Sequence, residues 1–476
     1  MGVAGLTGTD VDLLALHERF PDRYPVLLES MSGAEALGRV DILFALPGAR
    51  LVQRSDATLA GDAPHAASGR FLDSLDHWFL STSPASAGEV ARSAGEGTQG
   101  VGEGTQGVGD GRKAFRSGWF LYLAYELGEE IEPSLHLPRS RLPRAVAWRM
   151  QGAILRDRRT GTISVHADTD VATTQLQTQL AADLASLAAA PRHAPPAKLA
   201  ADVVEQDPDV FTRGVRDVLE AIARGDVYQA NLSRSWRARL AAGARPTDLY
   251  RALRRANPAP FAAIAELGDG FSVLSSSPER LLELRDGIAS TRPIAGTRPR
   301  GRDAAADDRL KRELRLNEKE QAEHVMLVDL ERSDLGRICR GGTVEVDEYM
   351  TIETYATVHH IVSNVRGVLR EDVTPGRAIA AVFPGGTITG CPKVRCMQLL
   401  ADLEHEPRDA YTGSLGYLDV DGTLDLNILI RTLTLQDGEI GFRTGAGIVA
   451  DSLPEQELAE TRAKANGILR ALGEQT

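Results

Sequence analysis

Two pairs of glutamates set three residues apart carry the clearest chemical signal in this chain. They are Glu320 and Glu323 in N-E-K-E-Q-A-E-H, and Glu457 and Glu460 in P-E-Q-E-L-A-E-T-R-A-K. On a helix, residues at this spacing lie on one face. Two helices equipped in this way could hold one hard cation between them. Magnesium suits such a set, because it takes oxygen ligands, needs few protein carboxylates and leaves positions open for water and an anionic substrate. The alternative is a solvated helix face, the commoner use of this spacing. Lys464 follows Glu460 by one turn, and the apolar run Val325, Met326, Leu327 and Val328 follows the first pair, where it would bury the next stretch.

The elements that would position these residues follow from pattern. Short apolar runs within 24–45 and 118–128 predict strands, and 226–234 predicts another. The stretch 173–187 predicts a helix. Val215, Val218, Leu219 and Ile222 form a helical stripe that Gly225 closes. Asp421-Gly422 and Asp437-Gly438 predict tight hairpins. Thr374-Pro375 and Cys391-Pro392 place proline where a helix begins. Strands and helices mix without a regular βαβ alternation, so the expected class is α+β with mostly antiparallel sheets. Between 94 and 113 the sequence G-E-G-T-Q-G-V occurs twice in tandem. Glycine at that density cannot pack a core, which predicts a disordered surface insertion without a catalytic role. The run A-A-A-P-R-H-A-P-P-A-K at 188–198 reads as a linker.

Composition narrows the function classes. The 476 residues are 42% hydrophobic and 25% charged, enough apolar material for a large core. The net charge of -12 argues against binding nucleic acid non-specifically, which needs a basic surface. Cys339, Cys391 and Cys396 form neither a disulfide framework nor a zinc motif, and a reducing cytoplasmic setting fits them. No signal peptide, myristoylation site or membrane-spanning apolar run is expected.

The second half resembles the chorismate-utilising enzymes: anthranilate synthase component I, aminodeoxychorismate synthase component I, and the isochorismate and salicylate synthases. The matching motifs are Y-Q-A-N-L-S-R (228–234), S-S-P-E-R (276–280), R-P-I-A-G-T-R-P-R-G (292–301), V-H-H-I-V-S (358–363), F-P-G-G-T-I-T-G-C-P-K (383–393), I-R-T (430–432), G-A-G-I-V (445–449) and the two glutamate stretches. The resemblance implies a mostly antiparallel β-sandwich core surrounded by helices. It implies an N-terminal region at 1–190 holding the insertion, a linker at 191–205 and a chorismate-binding catalytic domain at 206–473. It makes Glu320, Glu323, Glu457 and Glu460 ligands of Mg2+, which would neutralise the ring carboxylate of chorismate and hold the ring. Glu279 matches the family's general acid, a role that requires burial to raise its pKa. His360 matches a histidine near the leaving hydroxyl, or else a structural one. Arg431, expected on a hairpin strand, suits the enolpyruvyl carboxylate. Tyr417 and the backbone of Gly445, Ala446 and Gly447 would help there. Gly386 and Thr387 would donate to the ring carboxylate, with Thr297 and Lys464 also at the substrate.

Gln229 bears on the nucleophile. Water-using relatives carry a lysine there, whereas glutamine cannot act as a base. Ammonia needs no base, so the resemblance points to amination. Asn231, N-P-A-P-F-A (257–262), His359-His360 and G-G-T-I-T-G look like aminodeoxychorismate synthase, the leading expectation. The L-L-E-S segment at 27–30 is a feature of tryptophan-regulated anthranilate synthases. Ala295 stands where the best-understood aminodeoxychorismate synthases carry a lysine nucleophile, and this favours anthranilate synthase as the alternative. A non-catalytic ligand sensor is the third reading. No cysteine lies in a glutaminase elbow, so a separate glutamine amidotransferase subunit is the expected ammonia source.

Overall fold

The computed structural model describes residues 11–31, 40–83, 115–189, 193–355 and 358–474. The glycine-rich stretch 94–113 lies outside the described residues. All recorded strand pairings are antiparallel and join into one large sheet. In pairing order, Gly118–Leu123 is followed by Ala145–Asp157, Val40–Gln53, Val26–Glu29, Phe261–Gly268 and Phe271–Ser277. Laid flat, those five steps would span roughly 24 Å. Yet the rings of Tyr122 and Phe271 meet at 5.6 Å. The sheet therefore folds back on itself around an apolar interior that includes Val26, Phe44, Phe120, Tyr122, Trp148 and Val273. Helices cover its outer faces, and the α+β expectation holds.

Two outer layers matter for the site. The helix Pro454–Leu472 buries Ala465, Ile468 and Leu472 against a cluster containing Phe442 and Leu433 of the sheet. Leu335, on the helix Glu318–Gly336, packs with Ile379 and Val382 of the helix Pro375–Val382. Sequence signals set these ends. Asn317 Oδ1 accepts the N–H of Glu320, and Thr374 caps the helix that Pro375 begins. Gly225, with φ +77, follows the helix Pro208–Ala223. Both Asp-Gly turns join the neighbouring strands expected of them, with Gly422 and Gly438 at positive φ.

The linker is shorter than expected. Ala200–Glu205, inside the expected 191–205 connection, is a strand that pairs with Gln229–Leu240. The N-terminal region is woven into the same sheet as the rest, since Gly118–Leu123 pairs with Ser414–Asp419. No helix among the described residues is long and apolar enough to cross a membrane.

Candidate active site

Glu279 sits just before the strand Arg280–Arg285 and is 6% exposed. Thr387, in the short turn Gly386–Ile388, donates its hydroxyl to Glu279 Oε1 at 2.8 Å. Burial pushes the Glu279 carboxyl up to about 8, with Glu331 adding to the rise while Thr387, Lys464 and Arg431 oppose it. Arg431 feels Glu279 in turn, and burial lowers its guanidinium. His360 is 3% exposed, and its Nδ1 lies 2.9 Å from Thr297 Oγ1. Burial, then Arg431, pushes His360 down to about 3, so it is neutral at ordinary pH. Glu279, Arg431, His360, Lys464, Thr387 and Thr297 thus belong to one neighbourhood.

Arg431 is not on a strand. It precedes the strand Thr432–Gln436 with φ +52, a left-handed conformation uncommon for arginine. Its carbonyl accepts the Ser276 N–H at 3.1 Å, which ties it to the S-S-P-E-R segment and turns the chain before the strand begins.

The strands Gln229–Leu240 and Glu439–Ile448 form the other wall, with Asn231 opposite Gly447 and Ser233 opposite Gly445. A Cβ at Gly447 would lie 2.5 Å from Gln229 Nε2, and one at Gly445 would lie 2.5 Å from the Tyr411 hydroxyl. Both glycines are needed for these close approaches. Ala446 turns its side chain into the apolar cluster with Leu232. Lys464 Nζ bonds the Gly445 carbonyl at 2.9 Å and Glu460 at 2.7 Å. Gln229 is 8% exposed, and its buried Oε1 has no hydrogen-bond partner among the described residues. Asn231 Nδ2 donates to the Ile388 carbonyl at 2.9 Å, which joins this wall to the Gly386–Ile388 turn. Ala295 is 8% exposed, on the strand Ile294–Pro299.

Tyr417 is placed elsewhere. Its ring packs on Phe115 at 5.3 Å, and its hydroxyl is pushed up by burial and by Asp425. The tyrosine at the glycine wall is Tyr411, whose hydroxyl lies 3.4 Å from Asn231 Nδ2. Both tyrosines occur in Y-T-G-S-L-G-Y (411–417), and alternation along the strand Ser414–Asp419 turns the second into the sheet interior.

Glu320 and Glu323 lie on the helix Glu318–Gly336, and Glu457 and Glu460 on Pro454–Leu472. Glu320 Oε1 bonds Arg298 at 2.7 Å. Its Oε2 is buried without a hydrogen-bond partner among the described residues, and a Cβ on Gly296 would lie 2.5 Å from it. Glu457 is 7% exposed. Among the described residues no three such side chains are gathered as they would be around an ion. The donor chemistry fits magnesium, with hard carboxylate oxygens on two helices and one buried oxygen lacking a donor. Of the apolar run that follows, Leu327 and Val328 are buried but Val325 is 49% exposed, because it falls on the outer face of the helix. That helix also buries Glu331, at 3% exposure, a residue whose acidic helical context gave no hint of it.

Comparison with known proteins identifies the family. The chorismate binding enzyme family matches residues 71–470. The chain is 42% identical over 362 residues to an anthranilate synthase component I-like protein of Synechocystis, covering 75% of this chain and 73% of that protein. It is 47% identical over 264 residues to aminodeoxychorismate synthase component 1 of Bacillus subtilis, covering 56% of each. Anthranilate synthase component I of Streptococcus pneumoniae has the same fold, with a TM-score of 0.74 at 28% identity over 90% of this chain and 92% of that one. The chain therefore belongs to the chorismate binding enzyme family.

Proposed function

We propose that this chain aminates chorismate with ammonia to give 4-amino-4-deoxychorismate, working beside a separate glutamine amidotransferase subunit. The observation that carries amination is Gln229: a buried amide whose Oε1 has no partner among the described residues. That oxygen can accept an N–H of ammonia, but a glutamine cannot deprotonate water. Protonated Glu279 delivers its proton to the departing C4 oxygen, which leaves as water. The ammonia lone pair forms the new C–N bond, and the resulting ammonium loses one proton, which restores the protonated Glu279 carboxyl. Arg431 supplies a planar fork for the enolpyruvyl carboxylate. Glu320, Glu323, Glu457 and Glu460 would hold magnesium, which supplies charge neutralisation at the ring carboxylate when bound. Attack at C4 is favoured by the motifs around Asn231 and His359-His360, and by the likeness to the Bacillus subtilis protein.

A second reading, anthranilate formation, is favoured by Ala295, which offers no nucleophile where a lysine could stand. It is also favoured by relatives named as anthranilate synthases. Amination itself is tested with the purified chain. An ammonium salt with magnesium should support chorismate consumption, glutamine alone should not, and excess chelator should stop the reaction reversibly. Turnover in water without ammonia would overturn this reading.

A further inference from the structure

Glu331 is a buried carboxyl to which the amination reading gives no task. Thr291 donates its hydroxyl to Glu331 Oε2 at 2.7 Å. A Cβ on Gly386 would lie 3.7 Å from Glu331 Oε1, just beyond Leu330 Cβ at 3.3 Å, so the carboxyl is a near neighbour of that glycine. The next residue, Thr387, bonds Glu279. Glu331 and Glu279 therefore flank one two-residue step of chain.

We propose that Glu331 is a positioning residue for the proton donor: it braces the Gly386-Thr387 step, and its negative charge keeps Glu279 protonated. The inference rests on reading Glu279 as the general acid.

The surroundings raise both carboxyls. Burial pushes Glu331 up to about 7, with Asp334 adding to the rise and Thr291 and Lys393 opposing it. Glu279 is likewise pushed up, to about 8, with Glu331 adding to the rise. Where Glu331 is ionised, its charge resists ionisation of Glu279. Lys393 Nζ is held by Asp334 at 2.7 Å and by the Val382 carbonyl, so its charge is shared. Several other charged groups on elements packed against this helix pair away from Glu331. Arg292 pairs with Glu348 and Glu353, and Arg298 pairs with Glu320. Asp307 pairs with Arg300 and His359, Arg377 lies near Asp372, and neutral His360 faces Thr297.

The test is the pH dependence of kcat for Glu331→Gln, at saturating magnesium and a fixed concentration of neutral ammonia. Glutamine keeps the size and can still accept from Thr291, but carries no charge. The alkaline limb should move to lower pH by about half to one unit, so that the rate falls several-fold above pH 8 and little near pH 6.5. The KM for chorismate should change less than about twofold, because a group outside the substrate contacts gives no uniform binding. Glu331→Asp keeps the charge but draws it back, so its limb should fall between the two; if Glu331→Gln does not fold, this variant carries the test. A rate lowered equally at all pH values, with the limb unmoved, would reduce Glu331 to a structural brace and overturn the proposal. Glu279→Gln separates the two readings. If it stays active, Glu279 is not the acid and the inference falls with it. If it is inactive while the limb in Glu331→Gln stays put, the inference alone fails.

Discussion

Glu279, the proposed proton donor, is kept protonated by the same burial that costs the fold stability. Its ordinary value is 4.5, and the buried group titrates at about 8. Between those values the unfolded chain has released a proton that the folded chain keeps. Stability therefore falls as pH rises from 4.5 and levels off above about 8. Glu279→Gln removes this penalty. It should raise the melting temperature at pH 8, give no gain at pH 4, and lower kcat by about 10²- to 10⁴-fold. Equal melting temperatures for variant and wild type at pH 8 would show that the carboxyl is not destabilised by burial. Glu279 stood out in the sequence because it lies in S-S-P-E-R (276–280), a motif of the family the chain resembles. Tyr411 did not, because two tyrosines share one short motif and only the strand pleat tells which one points inward. Glu331 was hidden for a different reason: beside Arg332 on a helix it reads as a solvated charge.

At the scale of elements, local chemistry was readable and long-range pairing was not. Helix starts at Asn317 and Thr374 and the two Asp-Gly turns depend on neighbouring residues, so short windows of sequence contain them. The strand Ala200–Glu205 depends on a partner at Gln229–Leu240, and nothing local distinguishes it from linker. The left-handed turn at Arg431 likewise follows from its hold on Ser276. The paired strands Gln229–Leu240 and Glu439–Ile448 yield a sharper expectation. In Gly447→Ala the new methyl meets only the Gln229 side chain, with Nε2 at 2.5 Å. In Gly445→Ala it meets the Leu232 carbonyl at 2.8 Å, which is backbone, as well as the Tyr411 hydroxyl. Gly447→Ala should therefore fold with a melting temperature within a few degrees of wild type yet lose most ammonia-dependent turnover. Gly445→Ala should lose stability as well, by about 1–3 kcal/mol as an overpacked site. Unfolding curves and ammonia saturation kinetics on both variants check this; full turnover in Gly447→Ala would remove Gln229 from the reaction.

For the whole molecule, the proposed amination makes a prediction about which carbon receives nitrogen. Similarity does not decide it, since the chain is 45% and 47% identical to relatives named for either product. The purified chain, given chorismate, magnesium and an ammonium salt at mildly alkaline pH, separates the outcomes. Attack at C2 with loss of pyruvate releases anthranilate, which fluoresces without further treatment. Attack at C4 keeps the enolpyruvyl group, so no aromatic amine appears until a lyase is added, whereupon 4-aminobenzoate and pyruvate form together. The second outcome is expected. Ala295 offers an internal check, because it is buried at 8% exposure on the strand Ile294–Pro299, beside the wall that carries Thr297 and His360. Ala295→Lys would bring a primary amine to that wall, at the cost of burying a longer chain. In a site that aminates C4, the variant should keep or raise its lyase-dependent 4-aminobenzoate yield at limiting ammonia. In a site that aminates C2, the lysine would compete with ammonia for the ring, and direct anthranilate release should fall. Prompt anthranilate and pyruvate from the unaltered chain without lyase would assign the nitrogen to C2, and the loss of that signal in Ala295→Lys would place the residue at the attacked carbon.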